Sequence, residues 1–383
     1  MVFSNVLLIF MMSFQFGTYD LMIENTLKLF TGHVQVQDPA FLDGKKMRQT
    51  VDNVRPLAEH LRAGLAIDTV AARGVTFALV SSEQRSYGIM VYGVEPDFEP
   101  RVSVIPGLIK EGEYLSTATT DIVIGSVLAR NLKVSVGDEL TILGSGLDGS
   151  FAAAIVTVRG IFASGVNAID RNIVEVPLQL FDETFFMEGA GHQISIVGKQ
   201  LNDVAALQAR VRDLLPADQD LAVRDWNELQ PGVRQAIQAD LSSSFFMYFI
   251  LVVLVSFSVL NTQLMSVLER TREFGIVMSL GLKPGRLGRL VMLETAIMGA
   301  LGTALGMLLG TIVTLWVGYV GFSMSGMEEM SAQFNLPARM YPTLTWLSLT
   351  AGPMVVFTFT LLAAVYPAIR LRRLKLVDAM RAA

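Results

Sequence analysis

Little in this 383-residue chain is arranged for covalent chemistry. Its three histidines, His33, His60 and His192, are scattered, with no pair at i, i+4 and no carboxylates at ligand spacing. Together with the absence of cysteine, this argues against a metal site, a thiolate nucleophile and a disulfide framework. The glycine-rich stretch Gly144–Ser150 lacks the lysine that reaches phosphates in a P-loop, so ATP binding of that kind is not expected. Gly321-Phe-Ser-Met-Ser-Gly326 comes near a nucleophile elbow and fails its pattern. The expectation is a chain that is not an enzyme. The stretch with marked chemical character runs from Glu269 to Gly285 and is charged and short. Phe274, Val277 and Met278 fall at i, i+3, i+4 spacing, Gly281 stands where a helix C-terminal glycine belongs, and Pro284 follows. This predicts a short amphipathic helix over Glu269–Leu280 that ends in a tight turn. Two uses fit it: an ordinary basic loop between two apolar segments, or a docking helix for a soluble partner.

The flanking elements narrow its setting. Ser244 to Met265 carries no charge and is long enough to cross a bilayer as helix, and Leu290 to Gly318 carries only Glu294, read as snorkelling to the interface. A loop this short joins two spans on one side. With Arg270, Arg272, Lys283, Arg286 and Arg289 it belongs in the cytoplasm by the positive-inside rule. Two further apolar runs, Val2–Tyr19, which reads as short, and Leu344–Tyr366, bent at Pro353, complete four spans. Composition agrees: 52% hydrophobic, 17% charged and a mean hydropathy of +0.48 describe a few spans plus a large soluble portion. From residue 266 onward there are 11 bases and 6 acids, against 19 and 29 before it. An acidic front and basic clusters beside spans argue for an extracytoplasmic front domain and against nucleic-acid binding.

That front domain reads as mixed α/β. Asp20–Phe30 continues as helix out of the membrane, and Thr31–Gln37 alternates as a strand. Val51–Leu61 reads as helix, Thr69–Val80 and Tyr87–Val94 as strands, and Asp121–Lys133 contains a short helix. Gly137-Asp138 turns into a strand ending at Leu143, Gly144–Ser150 is a hairpin tip, and Phe151–Phe162 returns. Leu201–Leu214 is an amphipathic helix. Trp226–Asp240 is predicted to start a helix that runs unbroken into the span at Phe245, a rigid stalk. Gly302, Gly306 and Gly310, four apart in the third span, let two helix backbones approach closely, either inside this subunit or against a second one. The loop Tyr319–Pro342, with Met324, Met327, Met330 and Met340, reads as external, and Trp316, Tyr319, Tyr341, Trp346 and Tyr366 as interfacial.

Three segments carry a resemblance. Glu-Arg-Thr-Arg-Glu-Phe-Gly-Ile-Val-Met-Ser-Leu-Gly (269–281) resembles the segment after the second membrane helix of MacB/FtsX-type ABC transporter permeases. Ile124–Ile142 is similar to that family's periplasmic core motif, and Pro367–Arg381 to its C-terminal ending. Gly-His-Val-Gln-Val (32–36) resembles the lipoprotein-releasing branch. The resemblance implies a basic amphipathic helix ahead of the first span. The sequence given has none, so either its start codon is placed late or the chain is trimmed.

The fold expected is an α-helical membrane protein with four transmembrane helices and a mixed α/β extracytoplasmic domain inserted between helices 1 and 2. Its divisions would be 1–30 (first helix and extension), 31–240 (MacB-like core) and 241–383 (three-helix membrane domain with a coupling helix at 269–281). The resemblance implies a multi-pass protein of the bacterial inner membrane with its large domain in the periplasm. It implies ATPase docking through Glu269, Arg270, Thr271, Arg272, Glu273, Phe274, Gly275 and Gly281. ATP and Mg would sit on a separate ABC ATPase in two copies and not on this chain. A second permease, identical or related, the lipid membrane, and a periplasmic adaptor or lipoprotein substrate would be the other partners. Two functions follow: a permease that exports or extracts a lipoprotein or other amphiphile, or a non-transporting relay that regulates a periplasmic hydrolase or sensor kinase.

Overall fold

The computed structural model describes residues 1–117, 120–198, 203–216, 219–322 and 340–372. They gather into two compact units, one formed by 1–20, 235–322 and 340–372, the other by 21–234. The second takes in 21–30, which the sequence reading placed with the first helix. Most of the loop expected outside the membrane, including Met324, Met327 and Met330, and the tail from 373 lie outside the described residues.

In chain order, α1 (Val2–Thr26) passes through a π turn (Leu27–Thr31) into β1 (Val34–Gln37), α2 (Phe41–Gly44), α3 (Val54–Leu65), β2 (Val70–Ser81) and β3 (Ser86–Val94). Next come α4 (Glu99–Val102), β4 (Ile109–Gly112), β5 (Asp121–Gly125), α5 (Ser126–Leu132), β6 (Glu139–Ser145) and β7 (Phe151–Phe162). Then follow α6 (Asn167–Asn172), β8 (Ile173–Pro177), α7 (Leu178–Phe185), β9 (Gln193–Ile196), α8 (Val204–Leu214), β10 (Ala222–Asp225) and α9 (Trp226–Leu229). Four further helices are α10 (Pro231–Glu269), α11 (Thr271–Ser279), α12 (Pro284–Val320) and α13 (Trp346–Arg372).

The strands form one sheet in the order β10-β1-β9-β2-β3-β8-β5-β7-β4, with β6 bridging β2 and β7. Alternation organises the edge of the sheet that runs β10-β1-β9-β2. Val34, Val36, Ile194, Ile196, Val70 and Ala72 point to one side, where α3 and α8 cover them with Leu57, Leu61, Val204, Leu207 and Val211. The opposite side carries Gln35, Gln37, Gln193, Ser195 and Arg73, all buried. In the middle of the sheet, Gly74 and Gly93 face each other on β2 and β3, and the Phe181 ring fills the gap; a Cβ on Gly74 would lie 2.3 Å from that ring.

In the membrane unit, α1, α10, α12 and α13 each contain an apolar window long enough to span. The first span is not short as expected. Its apolar stretch runs Val2–Ile23, 22 residues, because the single Asp20 is followed at once by Leu21, Met22 and Ile23. Nor does the stalk helix begin at Trp226. Gln230 leaves helical geometry at φ −126°, ψ 62°, Pro231 opens a new helix, and from there 39 residues run unbroken, about 58 Å at 1.5 Å per residue.

The three-glycine stripe of α12 receives α1 of the same chain. A Cβ on Gly306 would sit 2.6 Å from Asn5 Cβ, and one on Gly310 would sit 3.3 Å from Val6 Cα. Among the spans, α10 is the least covered, with 6% of its window buried against 22–33% for the others.

Candidate functional site: a docking corner and a polar clasp

The corner begins where α10 stops. Glu269 is the last residue of α10, and Arg270 breaks the helix at φ −92°, ψ 8°. The helix predicted over Glu269–Leu280 is therefore two pieces, with Arg270 as the joint. A span as long as α10 must turn before α12 can return. The Arg270 carbonyl still accepts from Phe274 N–H at 3.0 Å, and Thr271 Oγ1 donates to Val267 C=O at 2.9 Å, so the joint is closed at both sides.

One side of α11 is locked inward. Phe274 packs with Val267 of α10, Leu287 and Val291 of α12 and Leu371 of α13. The buried face is Phe274, Gly275 and Met278, and Val277, expected on it, is 38% exposed. At 100° per residue the three buried positions span an arc of about 100°, and Val277 lies about 60° beyond its edge. Arg270 Nη1 reaches Glu294 on α12 at 3.3 Å, its Nε lies 3.4 Å from Glu273, and its guanidinium sits 5.4 Å from the Phe274 ring centre. Glu294, read from sequence as snorkelling to the interface, is the partner of this corner. Both partners are about 40% exposed, so the pair fixes geometry more than it adds stability.

The far end of α11 closes as a Schellman motif. Gly281 N–H donates to Met278 C=O and Leu282 N–H to Val277 C=O, with Gly281 at φ +99° and Leu282 packed on the Phe274 cluster. What α11 turns outward is Arg272 and Glu273 with Ile276, Val277 and Leu280, the last 84% exposed. An apolar strip beside a cation, on a helix held rigidly from behind, is equipped to bind another protein. Of the residues named from sequence, Arg272 and Glu273 face out, and Arg270, Thr271, Phe274, Gly275 and Gly281 hold the helix in place. Glu269 belongs to α10.

A second polar constellation joins α1 to α10. Gln15 Nε2 donates to Asp240 Oδ2 at 2.9 Å and to Ser244 Oγ at 2.6 Å; Tyr248 O–H donates to Gln15 Oε1 at 2.7 Å; and Tyr19 O–H donates to Asp240. Five side chains thus clasp two apolar helices. Sequence reasoning missed them, although the signal was there. Gln15 and Tyr19 are four apart, and Asp240, Ser244 and Tyr248 are spaced by four, one stripe on each helix.

The core of the α/β unit holds several buried ionisable groups. Arg73 forms a fully buried two-pronged pair with Glu99, at 2.5 and 3.1 Å, and also donates to Ser195 Oγ. Tyr114 O–H donates to Glu175 Oε2 at 2.7 Å. Burial, and then the negative charge of Glu99, push the Glu175 carboxyl up to about 8. His192 Nδ1 accepts from Val75 N–H at 3.0 Å while Nε2 faces Met47 C=O at 3.1 Å, and burial pushes its pKa down to about 4. These groups tie the core together. Among the described residues no three His, Asp or Glu side chains converge as a metal site.

Comparisons with known proteins bear on both units. The family described as MacB-like periplasmic core domain matches residues 1–214, and the family described as FtsX-like permease C-terminal matches residues 245–376. The lipoprotein-releasing system transmembrane protein LolC of Xylella fastidiosa is 24% identical over 321 residues, covering 79% of this chain and 75% of that one. LolE of Haemophilus influenzae, of the same system, is 24% identical over 314 residues, covering 78% and 73%. The crystal structure of the periplasmic region of MacB from Actinobacillus actinomycetemcomitans aligns at 13% identity and a TM-score of 0.39, covering 56% of this chain and 96% of that one.

Proposed function

This chain belongs to the family of ABC transporter permeases with a MacB-like periplasmic core domain and an FtsX-like C-terminal domain, and from that premise we propose that it couples ATP hydrolysis in a separate subunit to movement of its periplasmic domain. It is a multi-pass protein of the inner membrane, with the α/β unit in the periplasm. ATP and Mg are held by the ATPase, in two copies, one under each of two permeases. When the ATPases close, each pushes on the outward strip of α11. Because Phe274 and the Arg270–Glu294 pair join α11 to α10 and α12, the push displaces the helix ends together. The unbroken length of α10 carries it outward. The sparse cover on α10 leaves Phe245, Phe249, Leu254 and Phe257 for lipid and for the second permease. The substrate is a lipoprotein or another amphiphile, in line with the lipoprotein-releasing relatives, with a periplasmic protein to receive it.

The observation that carries this reading is the outward apolar strip of α11, Ile276, Val277 and Leu280, on a helix anchored from behind. Co-purification with the ATPase tests it. Leu280→Asp and Arg272→Glu should each release the ATPase while the permease still inserts and elutes as wild type does. Unchanged complex and unchanged coupled hydrolysis in both variants would remove α11 as the docking element.

A further inference from the structure

The polar face of the sheet opens into a cleft of about 210 Å³ inside the α/β unit. Its floor is a rung of the β1–β9 ladder, where Gln37 lies opposite Gln193. Gln37 is 1% exposed, and its Nε2 has no hydrogen-bond partner among the described residues. A buried amide donor left unpaired is costly, and nothing in the packing of a sheet requires a glutamine there. Phe41, Met90 and Leu229 give the cleft an apolar lining. Lys45 stands at the rim, and no carboxylate lines it among the described residues.

These features select a ligand chemistry. The unpaired atom is a donor, so the ligand brings an acceptor. Two glutamine amides match a group with both N–H and C=O. The lone lysine with no carboxylate disfavours a cation. The volume lies below the range of about 300–1,000 Å³ for drug-sized ligands, and suits one or two amino-acid residues. We propose that this cleft binds a short extended peptide segment, one backbone carbonyl accepting from Gln37 Nε2 and an apolar side chain against Phe41 and Met90. The cleft is also walled by Thr31, which ends the π turn after α1, and by Gln230, which precedes α10, so an occupant touches the residues beside both helix ends. The inference stands on the α/β unit alone and does not depend on where the ATPase docks.

The test uses the full chain in lipid nanodiscs and saturation-transfer NMR with acetyl-Ala-Leu-Ala-amide as probe. Transfer to the leucine methyls is expected. Gln37→Leu should weaken it by about fivefold, the worth of one neutral hydrogen bond, without lowering the unfolding temperature. Leu229→Trp, which fills the cleft, should abolish it. No transfer with wild type, equal transfer with both variants, or transfer to N-acetylglucosamine and none to the peptide would each overturn the proposal.

Discussion

Gln230 Nε2 donates to Thr31 Oγ1 across 3.0 Å, so two residues 199 positions apart in sequence hold the entering and leaving strands of the chain together at the α/β unit. Thr31 ends the π turn after α1, and Gln230 is the break before α10. The two roots are therefore one mechanical piece. Gln230→Ala should leave the core intact and loosen this junction, at a cost of about 1 kcal/mol. Hydrogen exchange should rise in 31–36 and 222–230 and stay unchanged in β7.

The clasp between α1 and α10 invites a cross-link, because the chain has no natural cysteine to interfere. Gln15→Cys with Ser244→Cys should be bridged by a short bis-methanethiosulfonate reagent, because the 2.6 Å contact spans the length of the glutamine side chain and cysteine there is too short for a direct disulfide. If α1 and α10 part during turnover, bridged protein loses substrate release and reductant restores it. Transport by fully cross-linked protein would show that they stay together.

The Arg73–Glu99 pair is fully buried, so removing one of its charges is costly. Glu99→Gln leaves a guanidinium in the core with its ion-pair partner gone, and the expected loss is about 3–5 kcal/mol. Thermal unfolding of the full chain in detergent measures it. Glu113→Gln, at the mostly exposed partner of Arg159, serves as the control and should cost under about 1 kcal/mol.

Two buried groups give the α/β unit a pH signature. Glu175, raised to about 8, is protonated in the fold and ionised in the unfolded chain above 4.5. Its contribution is complete below 4.5 and is lost as pH rises through 8. His192, lowered to about 4, is neutral in the fold while the unfolded chain binds a proton below 6.5, so its contribution grows from pH 4 to 6.5. The two oppose each other up to 6.5, and above that Glu175 acts alone. Stability should fall by about 2 kcal/mol between pH 6.5 and 8. Glu175→Gln should flatten that fall, as read from unfolding midpoints across the range.

Much of this was legible in the chain. β2, β3 and β7 were placed to within a residue; along β7 and the second half of β2 buried and less buried positions alternate, whereas the first half of β2 is buried on both faces. Gly281 and Pro284 marked the end of α11 by backbone chemistry that needs no tertiary contact. What could not be read were relations between elements. Val277 looked buried because i, i+3 and i, i+4 partners both suit a helix face, and only the position of Leu287 and Leu371 decides which arc is covered. Gln230 reads as a good helix former, and the break there follows from Pro231 and the bond to Thr31. Glu294 lay beside Arg270 only once α12 had folded back.

The central claim is that nucleotide turnover in a separate protein moves the α/β unit through α11. The most direct measurement places spin labels at Arg130→Cys, on the surface of that unit, and Tyr319→Cys, at the end of α12, in the reconstituted complex. The expected result is a shift in the distance distribution between nucleotide-free and ATP-trapped states that vanishes in Leu280→Asp. A distribution that never shifts, or that shifts equally in Leu280→Asp, would contradict it.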